Sequence, residues 1–243
     1  RFFVTHNPKI QLPSDEDVRK YIPIEKFEHL GKINVESAWK KATGQGVTIA
    51  VLDTGLNYNH DGIKFNLAIN EKEMSGTDNT DDDENTFEDD VLGWDFINGD
   101  NKPFDDEGHG SHVGGLTSSH VNGSAPDSKI LPIKVMNAGG GGDTASLIAG
   151  IYYAVDNGAD VINASLQRLN TQIPELREAI RYAHENNVVF VSSAGNDNLD
   201  LSLPENSIYP GELDIPNVIN VAAIGATNGL ASYSNYGAIE TDV

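Results

Sequence analysis

Residues 47–52, Val47-Thr48-Ile49-Ala50-Val51-Leu52, form an unbroken apolar and β-branched run. Such a run predicts a strand buried on both faces, as in a parallel sheet. Comparable strand patterns occupy residues 130–136, 160–166, 188–192 and 217–224. Between them the pattern becomes helical, at 32–42, from Gly108 to about Ser119, up to Asp156 from an N-cap at Asp143, and at 173–186. Residues 137–142 are a Gly-rich linker. Strands alternating with helices predict an α/β fold, with a mostly parallel central sheet and helices on both faces. In such sheets the chemistry gathers beyond the carboxyl ends of the strands. Asp53 and Asn196 both follow strand ends. Residues 1–30 are polar, with Pro8, Pro13 and Pro23, and read as an extension or arm ahead of a domain at 31–243.

Composition narrows the partners. The 243 residues carry a formal charge of −21, which argues against nucleic acid and anionic membrane surfaces. No apolar run reaches the length of a membrane-spanning helix. The absence of Cys excludes disulfides, thiolate metal sites and Cys nucleophiles.

The charge is concentrated. Residues 78–107 hold thirteen acids and one base, Lys102, and so carry −12 of the −21. A solvated loop is the plain reading of an acidic run. The spacing says more. Asp81, Asp83 and Asn85 alternate and are followed by Asp89, a pattern of oxygen side chains that suits calcium. Thr86 and Leu92 stand where an EF-hand needs Gly and Glu, so this is not that loop. Asp95, Asn98, Asp100 and Asp105 make a second oxygen-rich stretch.

Asp53-Thr54-Gly55 looks at first like an aspartic peptidase motif. That chemistry needs two such carboxylates, and no second copy exists here. His109 lies between Gly108 and Gly110 at a helix start, where glycines allow a substrate backbone to come close. His112 has no further His or acid at metal-binding spacing and is expected to pack structurally.

Taken together, these motifs resemble the subtilisin-like serine peptidases, the subtilases. The resemblance runs from about Lys32 to the last residue. Residues 47–55 look like the family's catalytic-Asp strand, and 108–115, Gly-His-Gly-Ser-His-Val-Gly-Gly, like its catalytic-His motif. Gly123-Ser124-Ala125-Pro126, Ser193-Ala194-Gly195-Asn196 and Ser232-Tyr233-Ser234-Asn235-Tyr236-Gly237 match further segments. The resemblance implies a secreted or cell-envelope serine endopeptidase acting on proteins or peptides, inhibited by its own propeptide and stabilised by calcium. It implies that Asp53 orients His109, that His109 is general base and then acid, and that Asn196 donates to the oxyanion. It implies a substrate groove along Gly139, Gly140, Gly141, Ser165, Leu166, Gln167, Ala194 and Gly195. It also implies metal roles for Asp95, Asn98 and Asp100, with Asp81, Asp83, Asn85 and Asp89 in an insert found in some members.

Two departures stand out. No Ser lies in the family's Gly-Thr-Ser-Met context, so the nucleophile is expected beyond Val243. Gln167 replaces a Gly usual in the pocket strand. The competing reading is a catalytically inactive, peptide-binding relative.

Overall fold

The computed structural model describes residues 27–166 and 169–243. Most of the expected N-terminal extension, and Gln167, lie outside the described residues.

Two short helices, α1 (Glu28–Lys32) and α2 (Val35–Trp39), lead into β1 (Thr48–Asp53). Then come α3 (Glu71–Ser75), β2 (Trp94–Asp95), α4 (His109–Ser118) and β3 (Lys129–Lys134). The chain continues through α5 (Thr144–Asp156), β4 (Val161–Ala164), α6 (Pro174–Glu185), β5 (Val189–Ser193) and β6 (Val218–Val221). The six strands form one sheet in the order β2-β3-β1-β4-β5-β6, and every pairing is parallel. All the carboxyl ends therefore share one edge.

The strand alternation buries both faces of β1. Ala50 and Leu52 pack into the larger core with Ile133, Ile151, Ile162, Ile180 and Phe190. Ile49 and Val51 point the other way, toward Leu56, Ile63, Leu67 and Ile130. This two-sided burial explains why residues 47–52 show no polar alternation. On α6 the buried positions are Leu176, Ala179, Ile180 and Ala183, the stripe of a helix lying on a sheet. Pro174 opens it, where its missing N–H costs nothing. Asp143 caps α5 as its sequence predicts, accepting from Ser146 N–H at 2.7 Å.

Several boundaries differ from the sequence reading. The helix expected over 32–42 is shorter, Val35–Trp39, and is set off from the preceding helix, which ends at Lys32, where Asn34 takes a left-handed conformation at φ 52°. The strands expected at 160–166 and 217–224 are shorter, so Ser165 and Leu166 lie beyond β4 at the carboxyl edge. The acidic segment is more than a loop. It supplies β2 at the sheet edge and packs Phe87 against Trp94 and Tyr153, each with ring centroids 4.9 Å apart. Buried Asp90 accepts the Tyr153 hydroxyl at 2.6 Å, which ties the segment to α5.

Candidate active site

Asp53 is the last residue of β1 and is fully buried. Its carboxylate accepts the Thr54 N–H at 2.7 Å and faces His109 Nδ1 at 2.8 and 2.9 Å from its two oxygens. A carboxylate acceptor needs the imidazole proton on Nδ1, which leaves Nε2 free to accept. The His109 side chain is 46% exposed, so the ring is anchored on one side and open on the other. Burial pushes the Asp53 carboxyl above its ordinary range, and the His109 and Thr54 hydrogen bonds only partly offset this. The pair has the geometry of an acid–base dyad.

His109 is the first residue of α4, and Gly110 holds that helix against β1. A Cβ on Gly110 would lie 2.1 Å from the Gly55 carbonyl oxygen and 3.1 Å from Asp53 Cβ. The glycine after His109 therefore serves helix-to-strand contact; the sequence reading assigned that freedom to an approaching substrate. His112 is exposed on α4 and is not a packing residue as expected.

Asn196 lies beyond β5 and is exposed. The order β1-β4-β5 puts the carboxyl ends of β1 and β5 about 10 Å apart. The loop carrying Asn196 is held by buried Asn235, whose amide donates to Ala194 O at 2.8 Å while its Oδ1 accepts from Asp197 and Leu199 N–H. Asn235 counted in the sequence only as part of a motif; its role as a strut emerges from these contacts. Ala194 is buried behind the loop. Ser165, Gly195 and Asn196 line a cavity of about 220 Å³ between the β4 and β5 ends. Gly140, Gly141 and Leu166 line another of about 180 Å³, with Met136, Leu147 and Pro210. Gly139 sits in the same turn, its N–H donating to Asn137 Oδ1 at 2.9 Å.

The acidic residues divide into three groups. Asp81 and Asp83 come together with Glu73 of α3, with carboxylate oxygens all within 4.8 Å of one another. Asn85 N–H donates to Asp81 and Asp83, while Asp89 N–H donates to Glu73 Oε2. Glu73 was missed because it precedes the acidic run and shows no alternation. Asp95 forms a separate turn and accepts from Ile97 N–H, Asn98 N–H and the Asn98 amide. Asp100 accepts Lys102 N–H at 2.9 Å. Among the described residues, these do not join the carboxylate group. Asp105 is elsewhere again, at the entrance to α4. Its oxygens accept from Glu107, Gly108 and Ser111 N–H and from the Thr54 and Ser111 hydroxyls. The metal role expected for it does not fit, because these five donors already use its lone pairs.

The fold and site together define an α/β protein with a buried Asp hydrogen-bonded to a half-exposed His at the carboxyl edge of a parallel sheet. The family match is to Peptidase S8, the subtilase family, over residues 44–242, and the chain belongs to that family. It is 33% identical over 209 residues to the intracellular serine protease of Paenibacillus polymyxa, covering 84% of this chain and 57% of that protein. It is 31% identical to thermitase of Thermoactinomyces vulgaris, covering 86% and 66%. A cold-adapted subtilisin-like serine proteinase of known crystal structure superposes with TM-score 0.66 at 27% identity, covering 83% of this chain and 63% of that one. The chain thus spans about three-fifths of the length of these relatives.

Proposed function

We propose that the chain supplies the Asp–His part of a serine endopeptidase site, with the nucleophilic Ser expected beyond Val243. The bidentate contact between His109 Nδ1 and buried Asp53 carries the reading. Asp53 would hold His109 in the tautomer that lets Nε2 take the Ser proton and pass it to the leaving amine. Asn196 would donate to the oxyanion from the end of β5, two strands from β1. An extended substrate would lie between the 139–141 turn and the residues after β4, with an apolar side chain in the 180 Å³ cavity. Family kinship alone supports a propeptide inhibitor. It does not extend to secretion, since the Paenibacillus relative is named intracellular. Among the described residues, no helix is long and apolar enough to cross a membrane.

The expected result is that the intact protein cleaves an unfolded protein substrate and is labelled by a serine-directed fluorophosphonate. Peptide binding without labelling or cleavage would favour the inactive, peptide-binding reading.

Calcium belongs to the same reading as a structural ion. Ca–O distances near 2.3–2.6 Å place ligands on opposite sides of the ion about 5 Å apart. The Glu73, Asp81 and Asp83 oxygens lie within 4.8 Å of one another, close enough to share one ion, and hard carboxylate oxygens suit calcium. The ion would neutralise a cluster that otherwise repels itself. With calcium at about 100 times its Kd, a chelator is expected to lower Tm by about 5–10 °C. An unchanged Tm, with no calcium by elemental analysis, would remove this assignment.

A further inference from the structure

Thr54, next to Asp53, is fully buried, and each of its polar groups has a partner. Its N–H donates to Asp53 Oδ1 at 2.7 Å. Its hydroxyl donates to Asp105 Oδ1 at 2.8 Å and accepts from Gly110 N–H at 2.9 Å. Its carbonyl accepts from the buried Lys134 ammonium at 2.5 Å, and that ammonium also meets Asp106 at 2.7 Å. Thr54 thus touches the Asp of the dyad and, through Gly110 and Asp105, the first turn that carries the His.

That first turn needs restraint. The opening N–H groups of a helix have no partners inside it, so helix ends fray. His109 sits at such an end with a glycine on either side, and Gly108 adopts φ 118°. Asp105 restrains it from both directions. One oxygen takes Thr54 Oγ1 and the Glu107 and Gly108 N–H groups; the other takes Ser111 N–H and, at 2.5 Å, Ser111 Oγ. Ser111 Oγ in turn accepts Asn57 N–H at 2.8 Å, beyond the end of β1. A carboxylate here also meets the positive end of the helix dipole.

We propose that Asp105 is a positioning residue that, acting through Thr54 and Ser111, clamps the start of α4 to the end of β1 and so sets the His109–Asp53 contact. The proposal rests on the dyad reading above. Burial alone would raise the Asp105 pKa, yet hydrogen bonds from Ser111, Gly108 and Glu107 outweigh it and hold the pKa at about 2. The clamp therefore stays ionised throughout the neutral range.

The test is NMR of the intact protein, following the low-field His109 Nδ1–H signal and its exchange with water. The wild type is expected to show a slowly exchanging signal. Thr54→Val keeps the side-chain shape but removes the hydroxyl, and exchange should accelerate about 10-fold; Asp105→Asn should do the same. Thr54→Ser restores the hydroxyl and should restore the wild-type rate. In cleavage assays the Val and Asn variants should lose kcat about 10-fold with KM unchanged. If Thr54→Val and Asp105→Asn lower Tm but leave the signal at its wild-type rate, the positioning role is overturned and Asp105 is structural only. A wild type with no such signal would overturn the dyad and this proposal together. A normal signal without cleavage would overturn the peptidase reading alone.

Discussion

Replacing Asp53 with Asn is expected to lower kcat for peptide cleavage by about 10⁴-fold, with the fold as stable as before or slightly more so. The two halves of this expectation have one cause. Asp53 is fully buried, and burial raises its pKa, so its ionised form is held at a cost to the native state. An amide of the same shape avoids that cost. Its oxygen can still accept the Thr54 N–H at the Oδ1 position, and its NH₂ then takes the Oδ2 position facing His109 Nδ1. A donor in that position forces Nδ1 to accept and moves the ring proton to Nε2. The nitrogen that should take the nucleophile's proton is then already protonated. Cleavage should collapse while thermal unfolding stays within about 1 °C of wild type or moves upward. A variant that keeps a tenth of wild-type kcat would show that Asp53 does not set the His109 tautomer.

The parallel sheet was legible because residues 47–52 must be apolar on both faces, and only a strand covered on both sides needs that. The Asp53–His109 contact was legible only through the motifs, because the family resemblance paired an Asp at a strand end with a His between glycines at a helix start. What stayed hidden depends on contacts between distant positions. In the chain, Asp105 is one acid among thirteen, and what separates a clamp from a cation ligand is its contacts with the first turn of α4 and with Thr54, 51 residues away. Glu73 carries no signal of its own until α3 brings it to Asp81 and Asp83. Strand β2 is two residues long and exists because β3 offers it partners, so no local pattern marks it. The glycines around His109 were visible, but not what they make room for. A substrate and a neighbouring strand both demand the absence of a Cβ.

Gly110 offers the sharpest separation of these demands. Gly110→Ala would place its Cβ 2.1 Å from the Gly55 carbonyl oxygen, where an ordinary contact needs well over 1 Å more. The oxygen cannot easily retreat. Gly55 is at φ 108°, its own Cβ position lies 2.7 Å from the Phe104 carbonyl, and Leu56 N–H is bound to Pro103 O at 2.9 Å. Helix α4 must therefore lift away from β1 and carry His109 with it. A displacement of about 1 Å stretches the 2.8 Å contact with Asp53 beyond hydrogen-bond length. The expected losses are about 3 kcal/mol of stability and at least about 100-fold in kcat. Gly115, on the same helix, is the control, since a Cβ there meets nothing within 4 Å. Gly115→Ala should stabilise by about 0.5–1 kcal/mol and leave kcat unchanged, because it only improves helix propensity. Urea unfolding and peptide cleavage on both variants measure the contrast. If Gly110→Ala matched Gly115→Ala in stability, α4 would not be seated on β1 as described. If Gly110→Ala kept its stability and lost only substrate affinity, the glycine would be reserved for substrate after all.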